Sequence, residues 1–338
     1  MPTKEELKEL QSKSLEEKIQ ISTARIIEWY ETWGGQVYVS FSGGKDSTVL
    51  LDLVRRLYPN VKGAFCDTGL EFPELRDFVK KFDNIRWLRP TKYNRKTKQY
   101  DRFTFPEIIK HYGYPIISKR ISEDVHGAKP GNRRWRTLHG EDTMKNGAPS
   151  LFNSKKWNFL LEADFKIGAN CCNEMKKKPM HRFQKESGKH PIIGTQVDES
   201  LSRKTQWLQT GCNAFEAKEP ISTPIAFWTE QDILSYIKKY NLAYAPVYGD
   251  LVEGKDGKLH FTGCQRTGCV FCGFGCHLEK EPNRFQRLAE THPKLYGYCI
   301  NGGQYNENGV WQPGNGGLGM GHVLDYIGVN YEPIKTEE

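Results

Sequence analysis

The sequence predicts an α/β protein: a doubly wound, mostly parallel sheet, preceded by N-terminal helices, carrying a basic insertion and closing on a Cys/Gly-rich region. Three observations predict it. From Gln36 onward, short apolar strand signals alternate with helical ones, the pattern of parallel strands joined by crossover helices. The strand-like Val37–Phe41 runs through Ser42-Gly43-Gly44-Lys45-Asp46-Ser47 into the helical Thr48–Leu57, so backbone N–H groups at a helix start face the turn. At 338 residues, 27% charged and 37% hydrophobic, the chain can bury a real core in about two domains.

Residues 3–33 read as helix. Thr3 with Glu6 and Ser14 with Glu17 form two capping boxes, and Leu15, Ile19, Ile26, Ile27, Tyr30 and Trp33 make an apolar stripe. Gly34-Gly35 ends it. Strand Val37–Phe41, helix Thr48–Leu57, strand Val61–Cys66, helix Phe72–Phe82 and strand Ile85–Leu88 follow in order. Residues 91–165 are basic, aromatic and turn-rich, and read as an insertion with helix over Phe105–Tyr112. Core signals return with strand His190–Gly194 and helix Glu230–Lys239, capped by Thr229 with Asp232 at its third position. Beyond Tyr248, residues 263–276 are Gly/Cys-rich and 301–321 Gly/Asn-rich, and a last helix falls near His322–Ile327. The expected organisation is therefore 1–35 helical, 36–250 the sheet domain with its insertion at about 91–165, and 251–338 a metal-binding region.

No apolar run approaches the ~20 residues of a membrane span. The opening Lys4-Glu5-Glu6-Leu7-Lys8 resembles neither a signal nor a transit peptide, so a cytoplasmic protein without a membrane partner is expected. The net charge of +8 is unevenly spread. Arg89, Lys92, Arg95, Lys96 and Lys98 are followed by Lys119-Arg120, Arg133-Arg134-Trp135-Arg136, Lys155-Lys156-Trp157 and Lys176-Lys177-Lys178. Cations interleaved with aromatic rings suit a nucleic acid whose bases can stack; a solvated basic face is the alternative.

Three constellations carry chemistry. In the first, Gly43 and Gly44 admit an anion close to the backbone, Lys45 supplies a point charge, and Ser42 and Ser47 supply hydroxyls. Residues Ser40, Ser42, Gly43, Gly44, Lys45, Asp46 and Ser47 thus form the candidate phosphate-binding loop. Its helper is Asp67-Thr68-Gly69 after the next strand, where Asp67 could receive Mg²⁺ or a ribose, with Glu71 or Glu74 at a helix start. The second runs from Gly194 to Arg203, placing Gly194 at a strand end and offering Arg203 as a bidentate phosphate clamp; an ordinary helix start with a surface arginine is the alternative. Lys45, Asp46, Asp67 and Arg203 are the candidate catalytic residues.

The third is cysteine. Of nine, Cys171, Cys172, Cys264, Cys269 and Cys272 fall in two tight groups, which in a reducing compartment favours a metal over disulfides. Cys264-x4-Cys269-x2-Cys272 has the spacing of three thiolates in one iron–sulfur pattern, with Cys171 or Cys172 as the remaining ligand. Gly263, Gly268, Gly273 and Gly275 let the backbone wrap a bulky cluster. Zinc competes for any such set. Cys66, Cys212, Cys276 and Cys299 read as small apolar residues.

The loop resembles the pyrophosphate loop of ATP pyrophosphatases, and the three constellations in this order resemble the phosphoadenosine-phosphosulfate reductase family, a branch of the adenine nucleotide alpha-hydrolase-like fold. Cys171-Cys172-x3-Lys176-x2-Pro179 looks like its tandem-cysteine segment, and Cys269-x2-Cys272 like the distant partner. Gly194–Arg203 is similar to its Gly-x-Arg-x-x-x-Ser-x-x-Arg stretch, with Gln196 where an arginine is usual. Pro224-Ile225-Ala226-Phe227-Trp228-Thr229 with Asp232-Ile233, and Tyr244–Tyr248, also look like family segments. Two departures count against a reductase: no cysteine follows Cys299, so the Glu-Cys-Gly-x-His tail is missing, and the loop keeps the form seen where ATP itself is cleaved. The resemblance then implies an AMP-forming ATP pyrophosphatase using ATP, Mg²⁺ and a 4Fe-4S cluster (zinc as alternative). It would be akin to DNA phosphorothioation ATPases and cluster-dependent tRNA thiolases, with DNA or tRNA as acceptor and a cysteine desulfurase or other sulfur donor as partner. Sulfonucleotide reduction with an external thiol, and a non-catalytic binding module with a structural metal, are the other readings.

Overall fold

The structure, a computed structural model, describes residues 2–334; residue 1 and residues 335–338, which the two terminal regions named above include, lie outside them. The chain divides into two compact units. The first comprises the residues up to Asp67, Glu71–Arg89 and Pro179–Gly268; the second comprises Thr68–Leu70, Pro90–Lys178 and the chain from Cys269 onward.

The first unit is the expected α/β fold. Its elements are α1 (Lys4–Ser12), α2 (Leu15–Thr32), β1 (Val37–Ser40), α3 (Lys45–Leu57), β2 (Lys62–Cys66), α4 (Pro73–Lys80) and β3 (Ile85–Leu88). After the excursion into the second unit come β4 (His190–Ile193), α5 (Leu201–Thr210), β5 (Asn213–Ala214), β6 (Ile221–Ser222) and α6 (Glu230–Tyr240). The sheet order is β3-β2-β1-β4-β6-β5, parallel throughout except for the β6–β5 pair. Val39 sits opposite Gly63 on one side and Ile192 on the other, so β1 is the centre and its carboxyl end opens at the loop. That is where such sheets bind ligands.

The N-terminal stretch is two helices, one behind each expected capping box. Lys13 is extended at ψ 155°, and the Ser14–Glu17 capping box starts α2 afresh, just as Thr3 and Glu6 start α1. The core gathers Val37, Val39, Phe41, Val49, Leu50, Val54, Ile192 and Trp228, all almost fully buried. One polar link crosses it. Lys18, 2% exposed, reaches Asp232 at 2.7 Å, and Asp232 also accepts from the Thr229 amide and hydroxyl at 2.7 Å each as the cap of α6. The Leu251–Glu253 and Leu259–Phe261 ribbon stays with this unit because Gln231 of α6 both donates to the Leu259 carbonyl (2.8 Å) and accepts from its amide (2.9 Å). The first unit therefore runs to Gly268 instead of breaking at residue 250.

The second unit joins the basic stretch to the C-terminal region. Ile116–Ile117 pairs in parallel with Gly273–Phe274, and Trp311 bridges to Phe165. Helices the sequence reading did not single out occupy Lys119–Gly127, Arg133–His139, Arg284–Thr291 and Pro293–Ile300. Phe105–Tyr112 is helical as expected, behind a Thr104–Glu107 capping box, and the last helix spans Met320–Tyr326. Residues 90–178 hold 19 Lys and Arg against nine Asp and Glu, a net +10, so the chain's entire basic excess resides there. Among the described residues no helix is long and apolar enough to cross a membrane.

Asp232→Ala should cost about 3–5 kcal/mol in denaturant unfolding, since it removes a helix cap and leaves the Lys18 ammonium buried without its partner. Lys18→Met, which keeps the cap, should cost clearly less. Equal losses for the two variants would show that the ion pair is not what couples α2 to α6.

Candidate functional site

In the first unit, β1 ends at Ser40, the chain turns through Phe41–Gly44, and α3 starts at Lys45, three residues before the sequence suggested. Gly44 is the N-cap, and its carbonyl takes the Thr48 amide (3.0 Å) with the Ser47 (2.9 Å) and Thr48 (3.0 Å) hydroxyls. Lys45, Asp46 and Ser47 are therefore the first turn, whose amides have no intrahelical carbonyl. Gly43 has φ +75°, and a Cβ there would stand 2.6 Å from Val79 Cγ2 of α4. At the end of β4, a Cβ on Gly194 would lie 3.1 Å from the Asp46 carbonyl oxygen. Both glycines are close-approach positions.

The loop's polar groups are engaged by the protein itself. Ser42 and Ser47 hydroxyls lie 3.0 Å apart, and the Gly44 amide donates to Ser42 Oγ at 3.3 Å. The Lys45 amide donates to the Tyr248 hydroxyl (3.0 Å), which sits 2.9 Å from Thr267 Oγ1. Buried Lys45 donates its ammonium to the Gln265 carbonyl at 3.1 Å and lies 3.3 Å from Glu230. Asp46 differs: its Oδ1 is buried without a hydrogen-bond partner. Burial pushes its carboxyl above the usual range against the pull of Lys45 and Arg266. Arg203 pairs with Glu199, which Arg266 also approaches at 3.7 Å, and burial together with Arg266 makes the Arg203 guanidinium easier to deprotonate than usual, Asp46 opposing. Lys45, Asp46, Gly194 and Arg203 thus belong to one electrostatic group, to which the structure adds Arg266, Glu230 and Tyr248. No motif in the sequence announced Arg266 or Glu230; Tyr248 was visible only as the end of Tyr244–Tyr248.

Asp67 is placed differently from expectation. Its carboxylate is 1% exposed, accepts from Arg76 Nε and Nη2 at 2.9 and 3.0 Å, and has Arg89 at 3.5 Å. Two guanidiniums already neutralise it, so its surroundings suit an anion held by Arg76 and Arg89 better than a cation. Those two arginines carried no sequence signal beyond their charge. Thr68 and Gly69 group with the second unit, where the Leu70 amide donates to Thr68 Oγ1 at 3.1 Å.

No pair among Cys171, Cys172, Cys212, Cys272, Cys276 and Cys299 forms a disulfide. Cys264 belongs to the first unit, its amide bonded to the Val247 carbonyl at 3.0 Å. Cys171, Cys172, Cys269 and Cys272 all belong to the second. There a π-helical turn, Asn173–Lys177, follows the tandem pair, and Glu174 is pinned by Tyr112 (3.1 Å) and Lys178 (2.7 Å). The Cys269–Cys272 turn is fixed by the Gly273–Ile116 pairing and by Arg284, which donates to the Cys272 carbonyl at 2.8 Å. Ile117 beside it has φ +59°, a strained conformation for a β-branched residue. The four thiols act on one another. Cys171 donates to Cys172, which brings the Cys172 thiol down to about 5 with help from Lys119 and Lys176 and against burial; the same bond, with burial and the neighbouring thiols, pushes Cys171 up. Burial raises Cys272, with Arg284 opposing. Four sulfurs ringed by Lys119, Lys176 and Arg284 fit a thiolate-ligated anionic cluster in donor chemistry. Among the described residues, however, no three His, Cys, Asp or Glu side chains are placed so as to hold a metal ion.

A parallel α/β sheet with an anion-type loop at the end of its central strand defines a nucleotide-binding class of protein. Residues 36–112 and 136–273 match the phosphoadenosine phosphosulfate reductase domain, and the chain belongs to that family. It is 25% identical over 285 residues to an uncharacterized protein of Methanocaldococcus jannaschii, covering 83% of this chain but 51% of that protein, so it spans about half that relative's length. Adenosine 5'-phosphosulfate reductase 2 of Bacillus subtilis is 23% identical over 249 residues, 73% of this chain and 77% of that one. Two solved structures are similar. Phosphoadenylyl-sulfate reductase from Candida auris in a phosphate complex has TM-score 0.37 and 15% identity, covering 73% of this chain and 91% of that one. The U34-tRNA thiolase NcsA from Methanococcus maripaludis, with its 4Fe-4S cluster, has TM-score 0.34 and 12% identity, covering 96% and 84%.

Because its folded carboxyl holds a proton more readily than in the unfolded chain, Asp46 stabilises the fold only at acid pH, and that contribution is lost as pH rises through its raised folded value. Asp46→Asn should therefore raise unfolding free energy near neutral pH by about 1 kcal/mol. The gain should fade below about pH 4, where both forms are neutral. Thermal unfolding across pH checks this, and a gain that persists at low pH would refute it.

Proposed function

We propose that the chain is an AMP-forming ATP pyrophosphatase that adenylates an acceptor, a nucleic acid such as DNA or tRNA, for sulfur transfer in the cytoplasm. The observation that carries the reading is the Ser42–Ser47 loop at the start of α3, with its first-turn amides, Lys45, Arg203 and Arg266 gathered at one edge of the sheet. In this reading the Tyr248 hydroxyl marks the place a phosphate oxygen takes at the Lys45 amide, and ATP binding exchanges one oxygen for the other. An acceptor oxygen attacks the α-phosphorus, the bond to the β-phosphate oxygen breaks, and pyrophosphate leaves. A sulfur nucleophile then displaces the adenylated oxygen as AMP. Lys45 and Arg203 stabilise the charge that gathers on the phosphates, and the glycines keep them within backbone reach.

Asp46, with an unpartnered buried oxygen, fits Mg²⁺ held jointly with phosphates; Mg²⁺ when bound would neutralise phosphate charge. Asp67 instead holds Arg76 and Arg89 in position. Cys171, Cys172, Cys269 and Cys272 are the residues that would hold an iron–sulfur cluster, or zinc, and a cluster would supply a site for activating the incoming sulfur. Cys264 stands apart in this assignment, as a residue of the loop unit. The curated relatives named as adenosine 5'-phosphosulfate reductases sustain a second reading, reduction of a sulfonucleotide.

Incubation with ATP, Mg²⁺, a sulfide donor and DNA or tRNA should release AMP and pyrophosphate, and Lys45→Ala should lower the rate by about 100-fold or more. ADP as sole product would overturn the reading, and sulfite released from adenylyl sulfate would favour the second. Anaerobically purified protein should carry iron and acid-labile sulfide that Cys171→Ser and Cys269→Ser each deplete. Stoichiometric zinc without iron would remove the cluster.

A further inference from the structure

Resting on the nucleic-acid acceptor of the preceding reading, we propose that one face of the second unit, built from residues 119–159, is a single-strand platform on which unpaired bases stack. Leu151 and Phe152 are 89% and 58% exposed, neighbours in sequence with no apolar cover. Isolated exposed rings are ordinary, but this one is held in place. Arg120 donates to the Phe152 carbonyl at 3.0 Å and to Ser154 Oγ at 2.8 Å, and its guanidinium lies 5.8 Å from the Phe152 ring centroid. The Ser154 amide donates to the Thr137 carbonyl at 2.9 Å, tying the segment to the helix Arg133–His139. Three residues on, Lys156 stands 5.0 Å from the centroid of Trp157, whose edge meets His277.

Charge selects the partner. Of the four acids in residues 119–159, Asp124 pairs with Arg120 at 3.2 Å and Asp142 with Arg133 at 3.3 Å, and the exposed Glu123 and Glu141 stand against nine Lys and Arg. Lys155, Lys156, Arg134 and most of Arg133 remain open to solvent. Fixed rings flanked by cations match a strand whose bases are free to stack and whose phosphates run alongside. A duplex stacks its bases internally and could use the cations alone. The face therefore favours unpaired nucleic acid, in a loop or a displaced strand.

Fluorescence anisotropy on the full chain, without ATP, tests this with a labelled oligothymidylate of about 16 nucleotides and a duplex of equal length. Phe152→Ala and Trp157→Ala should each weaken single-strand binding about 10-fold and leave duplex binding within about twofold. Phe152→Tyr, which keeps a ring, should bind like the parent and shows that loss in Phe152→Ala is not misfolding. Lys155→Ala should lower the salt slope of single-strand binding by about one. Equal affinity for single strand and duplex, or ring variants that bind as well as the parent, would overturn the inference. So would loss traced instead to Tyr93→Ala on the Thr91–Asn94 strand, or tighter binding of the same rings to phosphatidylserine vesicles. AMP release is measured on the same preparations. AMP formation without oligothymidylate binding overturns the platform and spares the pyrophosphatase, whereas ring-dependent binding without AMP does the reverse.

Discussion

The first turn of α3 is clamped on two sides, and the loop site exists because of it. A Cβ on Gly43 would clash with Val79 of α4 at 2.6 Å, and one on Gly194 at the end of β4 would press on the Asp46 carbonyl at 3.1 Å. Close backbone approach places helix-start amides, a lysine and a carboxylate at the open end of the central strand. It also buries Lys45 and the Oδ1 atom of Asp46, so both depend on what surrounds them. The protein offers Lys45 a carbonyl and Glu230, but leaves Asp46 Oδ1 without a partner. Asp46 thus keeps an unmet acceptor among the cations Lys45, Arg203 and Arg266.

The second unit meets a related constraint with opposite charge. Its residues 90–178 carry a net +10, and Lys119 and Lys176 of that stretch, together with Arg284, act on the thiols. The remainder faces water between exposed rings. One composition thus serves two purposes, stabilising thiolate charge inside and meeting a polyanion outside. Sequence reading treated these cations as a single surface property, because a string of lysines does not say which of them point at sulfur.

The elements were legible where local chemistry was strong. The caps expected at Thr3, Ser14 and Thr229 all form, and the strands β1, β2, β3 and β4 fall within a residue or two of their expected places. The short β5 and β6 were not legible, since two-residue strands have no periodicity to read; β6 exists through pairing with β4, and β5 through pairing with β6. Helices Lys119–Gly127 and Arg133–His139 were hidden by their charge. Each buries only a short apolar stretch, Ile121 in one and Leu138 in the other, so neither shows a stripe. Of the residues grouped around Lys45, the sequence itself singled out the loop, Gly194 and Arg203. Arg76, Arg89, Arg266 and Glu230 were not, because their roles come from partners far along the chain.

What the amino-acid sequence determined by itself was the alternation of strand and helix, the identity of the loop, and the inventory of thiols and cations, since these rest on neighbours within a few residues. Only tertiary structure decided the partition of the cysteines. Spacing grouped Cys264 with Cys269 and Cys272; by unit, Cys264 belongs to the first and Cys171, Cys172, Cys269 and Cys272 to the second. It likewise decided that Asp67 is a buried anchor for two arginines. Both outcomes depend on long-range pairing, of Gly273 with Ile116 and of Asp67 with Arg76 and Arg89, which brings together groups whose separation along the chain carries no record of it.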